Sequence, residues 1–131
     1  MATAVTIHDE ATIGGPSRSF QLQLARERLT VRELIERRVA HEVEAYNRSQ
    51  TEYYLGLIQP ADAERTLNGF RMRKPRPLDP DKQCAKALDA FQANGFVLLV
   101  GNRQVERLDE EVTLTPQTEI RFVKLLPLMG G

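Results

Sequence analysis

The sequence predicts an α+β fold, a mixed sheet packed on one amphipathic helix. Three observations carry this. Two segments of alternating polarity open the chain, one long stretch of helical periodicity follows, and a hairpin with one further strand closes it. In the first segment Val5 and Ile7 flank Thr6 on one face of a short strand. Gly14-Gly15-Pro16-Ser17 then supplies turn chemistry. Phe20, Leu22 and Leu24 alternate with Gln21 and Gln23, which is a period-two strand with one buried face. The pair reads as an N-terminal hairpin with a long loop. Asp9 and Glu10 read as ordinary loop acids on that hairpin.

The helix begins at a capping box, with Thr30 followed three residues later by Glu33. Val31, Leu34, Ile35, Val39, Val43 and Tyr46 recur at helical spacing and form one apolar stripe. Arg32, Glu36, Arg37, Arg38, Glu42 and Glu44 fall between them and read as a mixed solvent face. Asn47 to Gln50 ends the helix.

Residues 51–95 are read as an insertion of helical and loop character. Tyr53, Tyr54, Leu55, Leu57 and Ile58 fit either a short strand or a helix extension, closed by Pro60. Ala61 to Leu67 is expected to make one or two helical turns before Asn68-Gly69. The basic, proline-rich run from Arg71 to Pro80 is expected as an extended surface loop, because proline denies it both a regular helix and a central strand. Asp81 to Ala93 reads as a helix with Cys84, Ala87, Leu88 and Phe91 on one face, capped at Asn94-Gly95. Phe96 to Val100 is a buried strand, Gly101-Asn102 a two-residue turn, and Gln104 to Leu108 the return strand. Thr115-Pro116-Gln117-Thr118 turns the chain again into a last strand from Glu119 to about Lys124. Residues 125–131 are expected to be a flexible tail.

Composition sets the frame. A chain of 131 residues is expected as one domain, residues 1–131, with a single core. Eighteen basic residues balance eighteen acidic ones, so no global field points to nucleic acid or a membrane surface. A single cysteine, Cys84, leaves no internal disulfide framework and suits a reducing, cytoplasmic setting. Met1 to Glu10 lacks the pattern of a signal peptide, and no apolar run approaches the ~20 residues that span a bilayer. Gly14-Gly15 has no following Lys-Ser/Thr and is a turn, not a phosphate loop. Cys84 has no neighbouring histidine to activate it, and His8 and His41 are too few and too separated for a metal site. The basic residues Arg71, Arg73, Lys74 and Arg76 are read as a solvated loop. No acid–base pair or nucleophilic triad stands out, so the chain is not expected to be an enzyme.

The most informative residues are the last ones, Met129-Gly130-Gly131. A chain end without Cβ atoms can extend through a narrow tunnel and present its carboxylate as the functional group. With Leu29-Thr30-Val31-Arg32-Glu33-Leu34-Ile35 at the helix entry, the hairpin from Val97 through Gly101-Asn102 to Val105, and Glu119-Ile120-Arg121-Phe122 followed by Leu126-Pro127-Leu128-Met129-Gly130-Gly131, the sequence resembles the ubiquitin-like β-grasp superfamily. It is most similar to the branch holding the small sulfur carriers of molybdopterin and thiamine synthesis, or to a bacterial ubiquitin-like modifier. The match covers roughly residues 3 to 47 and 96 to 131. The segment from 51 to 95 is longer than the simplest sulfur carriers need. The last ten residues hold no arginine, unlike the basic tail of ubiquitin, which favours an apolar groove on a dedicated partner.

The resemblance implies a β-grasp roll and a substrate role. An activating enzyme would adenylate the Gly131 carboxylate, using ATP and magnesium held by that enzyme and none held by this chain. The acyl group would pass to a thioester and then an isopeptide bond, or become a thiocarboxylate that donates sulfur. Gly130 and Gly131 would be the reactive end, and Leu125, Leu126, Pro127, Leu128 and Met129 the segment that docks the partner. Partners would be the activating enzyme together with a conjugating enzyme or deconjugating protease, or a sulfur-accepting synthase. Burying a Leu or Met is worth ~1.5–3 kcal/mol, so the tail is expected to find cover on a partner's groove or on its own core. The alternative from a different class is a non-covalent β-grasp interaction module that binds through its exposed sheet face or basic loop.

Overall fold

The computed structural model describes residues 2–11, 18–49, 53–61, 63–66, 69–72 and 76–125. β1 (Thr3–Ala11) and β2 (Arg18–Leu24) pair antiparallel, with Val5 opposite Leu22 and Ile7 opposite Phe20. Alternation does the sorting: Val5, Ile7 and Leu22 are fully buried, while Gln21 and Gln23 face out. The Gly14-Gly15-Pro16-Ser17 turn lies outside the described residues.

β3 (Arg28–Thr30) leads directly into α1 (Val31–Ser49). The capping box forms as its residue types require: the Glu33 amide donates to Thr30 Oγ1 at 3.2 Å, and the Thr30 amide donates to Glu33 Oε1 at 3.0 Å. Two further helix-start donors are satisfied from outside, Val31 by the Glu110 carbonyl (2.9 Å) and Arg32 by the Leu108 carbonyl (3.0 Å).

After α1 come β4 (Tyr53–Tyr54), β5 (Ala63–Thr66) and β6 (Gly69–Met72), which form a small separate sheet in the order β4-β6-β5. Two expectations are corrected here. The segment from 51 to 95 is not merely helical and loop-like, since it contains this three-stranded sheet. Of the segment expected to make helical turns, Ala61 to Leu67, the residues Ala63–Thr66 instead form a strand that pairs antiparallel with Gly69–Met72. So short a segment cannot repay helix nucleation, and sheet pairing overrides its propensity. The expected loop from Arg71 also starts later, because Arg71 and Met72 belong to β6.

α2 (Pro80–Gln92) starts with proline in its first turn and with Asp79 accepting the Asp81 amide at 2.9 Å. It ends at Asn94, in the left-handed region at φ 61°, with the Gly95 amide on the Ala90 carbonyl at 2.7 Å. α2 packs beside α1, burying Ala87 and Phe91. Asn47 ties the two together by bonding both the amide and the carbonyl of Leu78, at 2.8 and 3.0 Å.

The chain finishes with β7 (Phe96–Val100), β8 (Arg103–Val105), β9 (Glu111–Thr113) and β10 (Glu119–Lys124). The return strand β8 stops at Val105, short of the expected Leu108. The short β9 escapes sequence reading and pairs with β3. The main sheet runs β2-β1-β10-β7-β8 and is mixed: β10 lies parallel to β1 and antiparallel to β7. The fold is therefore α+β. Its core lies where the inner faces of β1, β2, β7 and β10 meet Leu34, Ile35, Val39 and Val43 of α1.

Candidate functional site: where the central strand leaves the sheet

The docking and reactive residues expected at the end of the chain follow β10, so the end of that strand fixes where they begin. β10 is the middle strand of five, and it delivers the chain between the end of β1 and the start of β7, with Lys124 opposite both Ala11 and Phe96. The Leu125 amide donates to the Gly95 carbonyl at 3.1 Å, at the C-terminal end of α2. Leu125 is half-buried there. Leu126, Pro127, Leu128, Met129, Gly130 and Gly131 lie outside the described residues.

Lys124 anchors this exit. Its Nζ donates to the Gly56 carbonyl at 3.4 Å and stands 5.6 Å from the centre of the Phe70 ring. Burial pushes its pKa below the ordinary lysine value, with Arg38 and Arg18 adding to the shift and Asp9 and Glu42 opposing it. Gly56 cannot carry a side chain here, because an added Cβ would lie 2.0 Å from the Tyr54 ring. Tyr54 is itself wedged between Tyr46 and Phe70, with ring centres 5.6 and 6.4 Å away. Burial first, and then the charge of Glu42, raises the pKa of its hydroxyl.

Beneath the exit lies a buried ionic cluster. Arg38 of α1 is 0% exposed and reaches Asp9 of β1 with both terminal nitrogens, Nη2 to Oδ2 at 2.6 Å. Its Nε donates to Glu42 Oε1 at 2.9 Å, one helical turn on. Arg18 of β2 closes the square on Glu42 at 3.1 Å and Asp9 at 3.4 Å, and also donates to the Leu55 carbonyl. The Arg38 guanidinium sits between two rings, 4.4 Å from the centre of Phe122 and 5.4 Å from that of Phe20. Desolvation works against its charge, but Glu42 and Asp9 outweigh it and raise its pKa further.

This cluster overturns two expectations. Asp9 is no loop acid, and Arg38 and Glu42 do not belong to a solvent face. The signal was present in the sequence. Asp9 continues the inward phase of Val5 and Ile7, and Arg38 and Glu42 are four residues apart on one helix. Two acids and one arginine are buried together here, and the partly exposed Arg18 completes a neutral set.

Comparison of the chain with protein-family models, curated proteins and solved structures finds no match.

Other residues singled out in the sequence stay apart. Cys84 is half-buried on α2, its Sγ 3.7 Å from the Glu36 carbonyl, and burial raises its pKa, which disfavours the thiolate. His8 bonds Ser19 Oγ at 2.7 Å on the outer sheet face, whereas His41 stacks on Phe20 beside α1. Arg76 donates to the Ala61 carbonyl at 2.6 Å, and Arg73 and Lys74 lie outside the described residues. Among the described residues, no three of His, Cys, Asp and Glu gather as a metal-binding group, and no helix is long and apolar enough to cross a membrane.

Proposed function

We propose that this chain is a ubiquitin-like protein modifier or sulfur carrier with a β-grasp fold, a substrate of an ATP-dependent activating enzyme and not itself a catalyst. The observation that carries the reading is the strand order β2-β1-β10-β7-β8, with the last strand parallel to the first at the centre of the sheet and α1 across one face. That order is the one expected of a β-grasp roll, and it supports the reading because the segment that would be the tail begins at the middle strand, just after Lys124. A tail leaving from a rigid central strand has a fixed root, so less freedom is lost when a partner holds it.

In this reading an oxygen of the Gly131 carboxylate attacks the α-phosphorus of ATP, and pyrophosphate leaves with the old phosphoanhydride bond. A thiolate then attacks the Gly131 carbonyl, and AMP departs. An amine then attacks the thioester carbonyl, forming the isopeptide bond as the thiolate leaves; alternatively sulfide attacks the adenylate in the thiolate's place, forming the C–S bond of a thiocarboxylate as AMP leaves. Gly130 keeps the approach narrow, Pro127 stiffens the segment, and Leu125, Leu126, Leu128 and Met129 fill an apolar groove. ATP and magnesium belong to the partner, in a cytoplasmic setting. A conjugating enzyme and deconjugating protease, or a sulfur-accepting synthase, would act next.

A second reading is a non-covalent β-grasp interaction module. It is favoured by the sheet face away from α1, where half-buried Val97 pairs with Val123 and Leu99 with Arg121. The two separate by intact-mass and gel analysis after incubation with ATP and a cognate activating enzyme. Modification at Gly131 supports the first, and persistent absence of any adduct leaves the second.

A further inference from the structure

A cleft of about 250 Å³ opens between the start of β2, the C-terminal half of α1 and the chain around β4. Rings line it from all three elements: Phe20 from β2, His41 and Tyr46 from α1, and Tyr53 from β4. Phe20 and His41 stack, with ring centres 5.9 Å apart and planes within 2° of parallel. Leu55 also lines the cleft. It is 50% exposed, the one exposed large hydrophobic side chain among the described residues.

Two donors in this lining lack an acceptor. Arg18 is held through Nε by Asp9 and through Nη2 by Glu42 and the Leu55 carbonyl, which leaves Nη1 unbonded among the described residues. Tyr46 is 5% exposed, and its hydroxyl is buried with no hydrogen-bond partner among the described residues. A buried hydroxyl left unpaired carries its desolvation cost in full, so its retention calls for a partner from outside the fold. Glu42, the one carboxylate of the described lining, is already occupied: Oε1 accepts from Arg38 Nε, and Oε2 accepts from Arg18 and Arg38. The cleft therefore offers ring faces and donors, and no open carboxylate for a cation to meet.

We propose that this cleft binds a small aromatic acid, one ring or a fused pair of rings bearing a carboxylate. The ring system packs among Phe20, His41 and Tyr53, and covers the exposed part of Leu55. The acid group supplies the acceptor that Arg18 Nη1 and the Tyr46 hydroxyl lack, and a guanidinium favours a carboxylate over a neutral carbonyl. Charge permits this, because Asp9, Glu42, Arg18 and Arg38 form a neutral set and an incoming anion meets no net negative field. Size sets the scale of the ligand: the volume lies below the ~300 Å³ at which pockets for drug-sized molecules begin.

Binding at this cleft is separate from any reaction at Gly131 and is tested without ATP or an activating enzyme, so either reading can fail alone. Benzoate and indole-3-acetate are titrated into the full chain and followed by backbone amide chemical shifts. Saturable shifts are expected around Phe20, His41 and Tyr46. Benzylamine, which lacks the acid, and acetate, which lacks the ring, should bind at least about 10-fold more weakly. Tyr46→Phe removes only the unpaired hydroxyl, so it is expected to keep or raise the melting temperature of the free chain while weakening benzoate binding about 5-fold. Arg18→Gln, its fold checked by circular dichroism, is expected to remove the preference for benzoate over benzylamine. The absence of saturable shifts with either acid at millimolar concentration overturns the proposal. So do shifts centred elsewhere, equal binding of benzylamine or acetate, or acid binding that Tyr46→Phe and Arg18→Gln both leave unchanged.

Discussion

Arg38 shows how much a single side chain can organise. It lies fully buried between the sheet and α1, with Asp9, Glu42 and two aromatic rings around it. Removing one member of a buried ionic set strands the others, so Arg38→Met is expected to cost about 3–5 kcal/mol in urea unfolding. Adding Asp9→Asn and Glu42→Gln should recover part of that loss, because the stranded charges go with them. Lys124 gives a pH signature. Its folded pKa lies below the ordinary 10.5, so between the two values the unfolded chain binds more protons than the folded one. Stability therefore rises with pH across that window, while below it the burial cost of the charged lysine is present in full. Tyr54 acts in the opposite sense above 10.0, so the comparison must be made against Lys124→Met, which keeps Tyr54. The stability of the wild type relative to that variant should climb as pH approaches 10.5 and then level off.

Among the elements, legibility followed the strength of the local signal. The start of α1 was readable because a capping box is a local device, and it forms as read. Backbone hydrogen bonding from Thr30, with Arg26 nearby, lowers the Glu33 pKa from its ordinary 4.5. Its contribution is present above 4.5 and is lost as pH falls through the depressed folded value. The stability difference between the wild type and Glu33→Ala should shrink in the same acid range, which thermal melts across that range would detect. β10 was readable from Ile120 and Phe122 alternating with Glu119 and Arg121, and its bounds at Glu119 and Lys124 match. β5 was not, because Ala63–Thr66 has no strand periodicity and exists only through its pairing with β6. β9 is three residues long and is defined by β3, more than 80 positions away (Leu29 opposite Val112), which no local pattern can register.

For the whole molecule, the mixed sheet on a main helix was legible because β2 alternates apolar and polar residues, Phe96–Val100 is a continuous apolar run and α1 carries one apolar stripe. The ionic cluster left only a partial signal, the phase of Asp9 and the spacing of Arg38 and Glu42, because its burial is settled by partners far apart in the chain, Asp9, Arg18, Arg38 and Glu42. The proposed reactive segment, Leu-Pro-Leu-Met-Gly-Gly, rests on the sequence alone, and what the structure describes is the strand before it, Glu119–Lys124. Deleting Gly130 and Gly131 should leave thermal stability unchanged, because neither has a side chain to bury and the last core residue among the described residues is Phe122. The same deletion should abolish activation in the proposed reaction. Whether Gly131 carries the reacting carboxylate, as proposed, is read directly by the intact mass of the full chain after incubation with ATP and its activating enzyme. An adenylate, thioester, thiocarboxylate or isopeptide adduct is expected that maps to Gly131 and is absent when the two glycines are deleted. An adduct formed equally well by the truncated chain, or none on the full chain under conditions where the enzyme turns over ATP, would contradict the proposal.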